Sequence, residues 1–269
     1  MPEGHTLHRL ARLHQRRYAG SPVEVTSPQG KFAAEASTLD GQVLVRADAH
    51  GKHLFHDFGP AGTVHVHLGL YGTFSEATLP TVAPVGQVRM RLVGRTHWTD
   101  LRGPNRCELL TPDRVEDIRA RLGPDPLRRD ARADLAWARI SASRAPLATL
   151  LMDQKVLAGV GNVYRAEVLF RHGIPPMTPG RSLDPVVWKE IWDDLVTLMR
   201  AGVRSGRIDT VADEHLPEVT GRAPRQDRHG GEVYVYRRTG QPCLVCGSPV
   251  AQTELAARNL YWCPTCQRS

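Results

Sequence analysis

The chain has no run approaching the roughly 18 apolar residues of a membrane-spanning helix, and its start lacks the apolar core of a secretory signal. Both absences point to a soluble, cytoplasmic, nucleoid-associated protein with no membrane partner. Internal repeats are missing as well. Cysteine is scarce, with five in 269 residues, and four of these lie together near the end. A disulfide framework is therefore not expected in a reducing compartment. Lysine is rare beside arginine, a bias that GC-rich coding produces by itself and that carries no weight. Acidic residues fall short of basic ones, 28 against 35, giving a formal charge of +7 and a pI near 9.5. That balance favours a polyanionic partner, although ribosomal and membrane-surface proteins share it. What is present is 41% hydrophobic residues, enough for a real core, over a length suiting one large domain or two ordinary ones.

The texture changes along the chain. Leu7, Leu10, Leu13 and His14 with Tyr18 follow a helical rhythm from the start. Short strand-like runs follow at 23–26, 42–49, 53–58, 63–68, 88–93 and 96–100, separated by Gly and Pro, and predict a β-sandwich or barrel. Residues 122–132, rich in Pro, Arg and Asp, look like a linker. Helical periodicity then marks 145–156, 163–171 and 185–202, and 204–231 is polar and loop-like. The expected organisation is α+β and multi-domain: 1–132 with an N-terminal helix and β-sandwich, 133–231 helical, and 232–269 carrying the cysteine cluster.

Cys243-Leu-Val-Cys246 and Cys263-Pro-Thr-Cys266 are two CxxC knuckles whose spacing suits a β-hairpin between them. Two residues between thiols let both reach one tetrahedral ion from a tight turn, so one zinc ion is expected, held by Cys243, Cys246, Cys263 and Cys266. Four thiolates leave no open position, which makes the zinc structural. Cys107 is left over and reads as a buried residue. Arg258 lies in the intervening hairpin, where a guanidinium is either solvated or forked onto phosphates.

Two further stretches suggest chemistry. Removal of Met1 would expose the secondary amine of Pro2, a nucleophile toward an aldehyde carbon, beside Glu3 as a proton shuttle. A helix dipole starting there would disfavour the protonated amine. In Met152–Phe170, a helix is expected to end at Gly159, with a Gly-Val-Gly turn and Asn162 capping the next helix. Such an N-terminus can seat a phosphate, or can be an ordinary helical hairpin.

Taken together, Pro-Glu-Gly at 2–4, Gly51-Lys52 before a strand, the Gly-Val-Gly-Asn turn and the terminal zinc finger with its Arg resemble the formamidopyrimidine-DNA glycosylase and endonuclease VIII family of base-excision repair enzymes. The resemblance covers nearly the whole chain. It implies an N-terminal β-sandwich, a helical domain with a helix–two-turn–helix motif, and a β-hairpin zinc finger, with damaged double-stranded DNA as partner and a monomer as the default. Bubble or single-stranded DNA is a further substrate form it leaves open. By resemblance, Pro2 is the nucleophile at the sugar C1′, Glu3 its acid/base neighbour, and Lys52 the holder of the phosphate beside the lesion. Asn162 and Arg258 bind flanking phosphates, and Glu167 matches an acidic position that is structural or in the cleft. The implied activity is a bifunctional glycosylase and AP lyase that works through a proline iminium and β,δ-elimination, with no metal or redox cofactor in the reaction.

Leu70-Tyr71 matches the endonuclease VIII branch, where the other branch usually carries Met at the Leu70 position, and Thr6 resembles the actinobacterial second-type members of that branch. Residues 100–107 also lack the Phe of the other branch. The resemblance therefore implies oxidised pyrimidines such as thymine glycol and dihydrouracil. Leu70-Tyr71 read alone could equally be a strand end on the core. His5 and Thr6 stand where the family commonly has Pro and Glu, which opens the substrate preference; of the two, His5 can titrate. His50, His53 and His56, with His65 and His67, invite a metal reading, but three-residue spacing does not keep the first three on one face of a strand. The rival from another class is a non-catalytic binder of damaged DNA or structured nucleic acid, which has no need of Pro2 and Glu3 at the terminus.

Overall fold

The computed structural model describes residues 2–227 and 231–268. Met1, and with it the question of its removal, lies outside this range, as do residues 228–230 of the polar segment and residue 269. The chain divides into two compact units, Met1–Arg121 and Leu122–Ser269.

The first unit opens with α1 (Gly4–Tyr18), followed by β1 (Ser21–Pro22), β2 (Glu24–Thr26), α2 (Ala33–Leu39), β3 (Val43–Leu44), β4 (Arg46–His50), β5 (His53–Asp57), β6 (Thr63–His67), β7 (Thr73–Thr78), β8 (Val88–Val93), β9 (His97–Arg102), β10 (Arg106–Leu110) and α3 (Pro112–Ala120). Two four-stranded antiparallel sheets form, ordered β10-β6-β5-β4 and β2-β8-β9-β7. Alternation explains them. Leu54, Val64 and Val66 from one sheet and Val25, Met90, Leu92 and Leu101 from the other share a core with Leu7, Ala11 and Tyr18 of α1. This is the β-sandwich with an N-terminal helix.

The chain crosses between the sheets twice at one corner. Residues 68–72 leave β6 where His67 pairs with Arg106, and residues 103–105 leave β9 where Arg102 pairs with Thr73. The crossings touch. A Cβ on Gly69 (φ 67°) would lie 2.9 Å from Asn105 Cβ, and one on Gly72 would lie 2.3 Å from the Leu68 carbonyl oxygen. Only glycine lets the turn between them close so tightly.

The second unit contains α4 (Ala133–Ser141), α5 (Leu147–Leu150), α6 (Asn162–Arg171), α7 (Pro185–Ser205), α8 (Pro217–Thr220) and the hairpin β11 (Ala251–Leu255) and β12 (Arg258–Trp262). The stretch 122–132 differs from the expected linker because it packs here. Leu127 joins the core, the Gly123 N–H donates to the Gln154 carbonyl at 2.8 Å, and the Ala158 N–H to that of Pro124 at 3.0 Å. The helix expected over 145–156 is also shorter. It stops at Leu150 and two turns replace the rest. Local side chains compete with the helix there. Asp153 accepts from the Lys155 N–H, and Gln154 reaches the carbonyls of Met152 and Val160 and accepts from the Gly159 N–H.

Candidate active site and nucleic-acid interface

Glu3 is the N-cap residue of α1 in extended conformation, and its side chain makes no capping bond. It is fully buried, whereas Pro2 is half-buried. The helix that carries them is fixed far from its tip. The Gln15 side-chain oxygen accepts the Ala47 N–H at 2.7 Å, His14 Nδ1 meets His56 Nε2 at 2.8 Å, and Arg17 pairs with Glu76. The His14–His56 tie is buried, where a half-made bond costs most, and with the Gln15–Ala47 bond it fixes the register of α1 on β4 and β5. His5 is 4% exposed with Nε2 at 3.3 Å from the Thr6 hydroxyl. Burial first, then neighbouring positive charges including Arg9, push its pKa down to about 4. It is therefore a neutral imidazole near neutral pH.

Lys52 sits at the tip of the two-residue β4–β5 hairpin, where His50 pairs with His53 and Gly51 takes φ 57°. Glycine first in such a turn matches the twist of the strands, and Lys52 follows from it. Leu70 and Tyr71 project from the corner described above, 47% and 84% exposed. An exposed Leu-Tyr pair held by two glycines is not a strand end on the core. The corner is braced behind by buried Asp100, which accepts from Arg91 at 2.6 and 2.9 Å and from Arg102 at 2.7 Å.

In the second unit, Asn162 does not cap α6. Gly161 holds the cap position, and Asn162 is the first helical residue, 5% exposed. Its amide nitrogen donates to the Asn259 carbonyl at 2.9 Å, and its oxygen accepts from Arg165. Arg165, 1% exposed, also donates to the same Asn259 carbonyl at 3.2 Å. The start of α6 is thus tied to the residue next to Arg258, so the helix terminus and the exposed finger Arg belong to one construction. Arg165 was missed from the sequence. An Arg three residues after Asn162, one turn on, is the signal that pairs them.

Glu167 is structural. It is fully buried and accepts four bonds: Thr210 Oγ1 at 2.6 Å and the backbone N–H groups of Tyr234 (2.7 Å), Val235 (2.9 Å) and Tyr236 (2.8 Å). It carries the segment leading into the finger.

The four thiols of Cys243, Cys246, Cys263 and Cys266 lie within 4.8 Å of one another, with Cys243–Cys266 at 3.9 Å and Cys246–Cys263 at 3.4 Å. A tetrahedral zinc with bonds near 2.3 Å separates its sulfurs by about 3.8 Å. The donor set fits zinc, and all-thiolate ligation is structural. Among the described residues this is the one group of His, Cys, Asp and Glu side chains able to hold an ion. The β11–β12 turn places Ala256 and Ala257 at φ 51° and 56°. Both central positions of such a hairpin need positive φ, which alanine adopts at a cost. Burial pushes the Cys107 thiol up to about 12, so it is unreactive.

Three family models match the chain: the formamidopyrimidine-DNA glycosylase N-terminal domain over residues 1–107, the formamidopyrimidine-DNA glycosylase H2TH domain over 122–213, and the zinc finger found in FPG and IleRS over 240–268. "Endonuclease 8 1" of Mycobacterium tuberculosis (strain ATCC 25618 / H37Rv) is 56% identical over 271 residues, covering 99% of this chain and 100% of the relative. "Formamidopyrimidine-DNA glycosylase" of Synechococcus sp. is 34% identical, covering 81% of this chain and 79% of the relative. The crystal structure of the Lactococcus lactis Fpg with DNA containing an abasic site superposes with a TM-score of 0.78 at 21% identity, covering 99% of this chain and 100% of that one.

Proposed function

The chain belongs to the formamidopyrimidine-DNA glycosylase and endonuclease VIII family, and from that premise we propose that it is a bifunctional DNA glycosylase and AP lyase of base-excision repair. The observation that carries the reading is the pair Pro2 and Glu3. Glu3 is a buried carboxylate at the N-cap position of a tethered helix, next to a half-buried proline that precedes it.

The steps follow from those groups. With Met1 removed, the Pro2 nitrogen attacks the sugar C1′ and the damaged base leaves as its glycosidic bond breaks. Glu3 protonates the ring oxygen, the sugar opens, and C1′ becomes an iminium carbon. Loss of a C2′ proton expels the 3′ phosphate. A second elimination expels the 5′ phosphate, and hydrolysis returns free Pro2. The base must first leave the stack, which costs a few kcal/mol and least for bases that pair badly. Lys52, the N-terminus of α6 at Asn162, and Arg258 compensate by each taking a backbone phosphate, and Leu70 with Tyr71 fills the gap. The match of Leu70-Tyr71 to the endonuclease VIII branch supports oxidised pyrimidines such as thymine glycol and dihydrouracil as substrates, on duplex DNA.

Borohydride trapping tests this reading. Protein with Met1 removal verified by mass is mixed with duplexes carrying an abasic site or thymine glycol, and Pro2→Gly is the control. A covalent adduct lost in the control is expected. Zinc-loaded protein that binds both duplexes and never traps would instead be a damage-binding protein.

A further inference from the structure

The histidines of β5 and β6 are not scattered. Register sets His53 opposite His67 and Phe55 opposite His65, with Arg106 and Glu108 continuing the two rows on β10. His65 Nδ1 lies 2.9 Å from Glu108 Oε1, and His65 Nε2 lies 2.8 Å from His53 Nδ1. An ionised carboxylate offers acceptors alone. His65 must therefore donate from Nδ1, which leaves its Nε2 as a lone pair. His53 must then donate to that lone pair from its own Nδ1. One nitrogen remains, His53 Nε2, and it is an acceptor. Stacking holds this line: His53 on His65 at 5.0 Å and 16°, His65 on Phe55 at 5.3 Å, and the Arg119 guanidinium of α3 over Phe55 at 5.0 Å.

The groups around His53 are basic. His50 faces it across the hairpin, Lys52 precedes it, and His67 pairs with it across the strands, next to Arg106. The carboxylates of this face lie one row inward. Glu108 is bound to His65, and Asp48 is paired with Arg46 at 3.4 Å and Arg119 at 3.3 Å. Burial first, then the neighbouring His65, His67, His50 and Lys52, push the His53 pKa down to about 3. The ring is neutral in the free protein, yet only half-buried.

We propose that His53 is a proton-accepting ligand for the DNA phosphate that docks at Lys52, with His65 and Glu108 as the positioning residues that keep its second nitrogen basic. The inference rests on the reading above, in which Lys52 meets a backbone phosphate. A phosphate oxygen brings the negative charge that the basic row lacks. A solvent proton then adds to Nε2, and the imidazolium donates from Nε2 to the phosphate and from Nδ1 to His65. Glu108 stands behind the line and offsets part of the new charge, as a carboxylate does behind any oriented histidine. No bond other than that to the proton forms or breaks. Since the His53 pKa rises on binding, protons are taken up, and affinity increases as pH falls below its value in the complex. A fully linked proton changes affinity about tenfold per pH unit.

Two measurements test this. Nitrogen-15 NMR of the free protein at pH 7.5 reads histidine tautomers without DNA; His53 and His65 are both expected as the Nδ1–H form, and an Nε2–H form of either overturns the proposal. Affinity for a duplex carrying a tetrahydrofuran abasic analogue is then measured from pH 7.5 to 5.5. Wild type and Glu108→Gln, which keeps an acceptor for His65, are expected to bind more tightly as pH falls, while His53→Gln and Glu108→Leu lose most of that slope. Equal slopes in all four proteins overturn the proposal. Failure of Lys52 as a phosphate contact reads differently: Lys52→Ala would then bind the analogue duplex as wild type does at pH 7.5.

Discussion

Replacing Glu167 by Gln should destabilise the second unit by about 3–5 kcal/mol, the sum of one buried donor left unpaired and of the charge assistance lost by the other bonds. The structure supports that magnitude. Oε2 accepts from Thr210 Oγ1 and the Tyr234 N–H, and Oε1 from the N–H groups of Val235 and Tyr236. Glutamine keeps one oxygen and replaces the other with a donor. The best placement turns its NH2 toward Thr210, whose hydroxyl can rotate to accept. The Tyr234 N–H then faces another donor and is left unpaired, at about 1–3 kcal/mol, while the remaining bonds lose their charge assistance. The residue is fully buried, so water cannot substitute. Urea unfolding followed by tryptophan fluorescence is the assay. Four of the five tryptophans, Trp137, Trp188, Trp192 and Trp262, lie in the second unit. With a urea slope of about 2–3 kcal/mol/M, the midpoint should fall by about 1–2 M. A fall under about 0.3 M would mean the carboxylate is not the anchor of the 233–236 segment.

Acid should loosen the first unit. His5, His53, His56, His65 and His67 all have lowered pKa values, burial being the largest cause in each. The unfolded chain therefore binds protons below about pH 6.5 that the folded chain refuses, so the stability these groups contribute is present above pH 6.5 and is lost as pH falls toward 4 and 3. A urea midpoint read from Trp98 that is unchanged between pH 7 and pH 5 would contradict this. Arg258→Ala should weaken duplex binding about tenfold and reduce the salt slope by about one, measured by fluorescence anisotropy across salt concentrations. Leu70→Ala with Tyr71→Ala should slow base release from a thymine glycol duplex more than strand cleavage at a preformed abasic site, since the second substrate has no base to keep out of the stack. Equal slowing on both substrates would remove the gap-filling role.

Much of the sandwich was legible because its core strands alternate. Leu54, Val64, Val66, Met90 and Leu92 announce β5, β6 and β8 without help from the rest of the chain. β7 and β10 are not legible in the sequence. β7 is mostly exposed along its length, and β10 is half-buried at most positions, so neither writes a clear apolar period. α3 does carry a start signal, Thr111 before Pro112 at the first turn, but its apolar face amounts to little more than Val115. The over-long helix at 145–156 shows the opposite failure. Its apolar residues do face the core, but Asp153 and Gln154 hand the backbone a local set of partners and the chain turns twice instead.

A motif is legible in the sequence where its partners are not, and the reason is physical. A motif such as Gly-Val-Gly-Asn is a local pattern, whereas what an Asn side chain does depends on atoms far away in sequence. As a cap, Asn162 would bond its own helix and stay indifferent to the finger. As the first helical residue it instead reaches Asn259, 97 positions on, together with Arg165. That contact changes what the zinc is for. The ion fixes the base of the hairpin through four thiols, the Asn162–Arg165 pair fixes β12 one residue after Arg258, and the two left-handed alanines fix the turn before it. A side chain with several rotatable bonds is useful as a phosphate clamp when its backbone is already immobile, because less entropy is then lost on binding. In the proposed reading the finger therefore contributes a pre-set Arg258 rather than a surface of its own; the contacts themselves hold its tip from three directions at once.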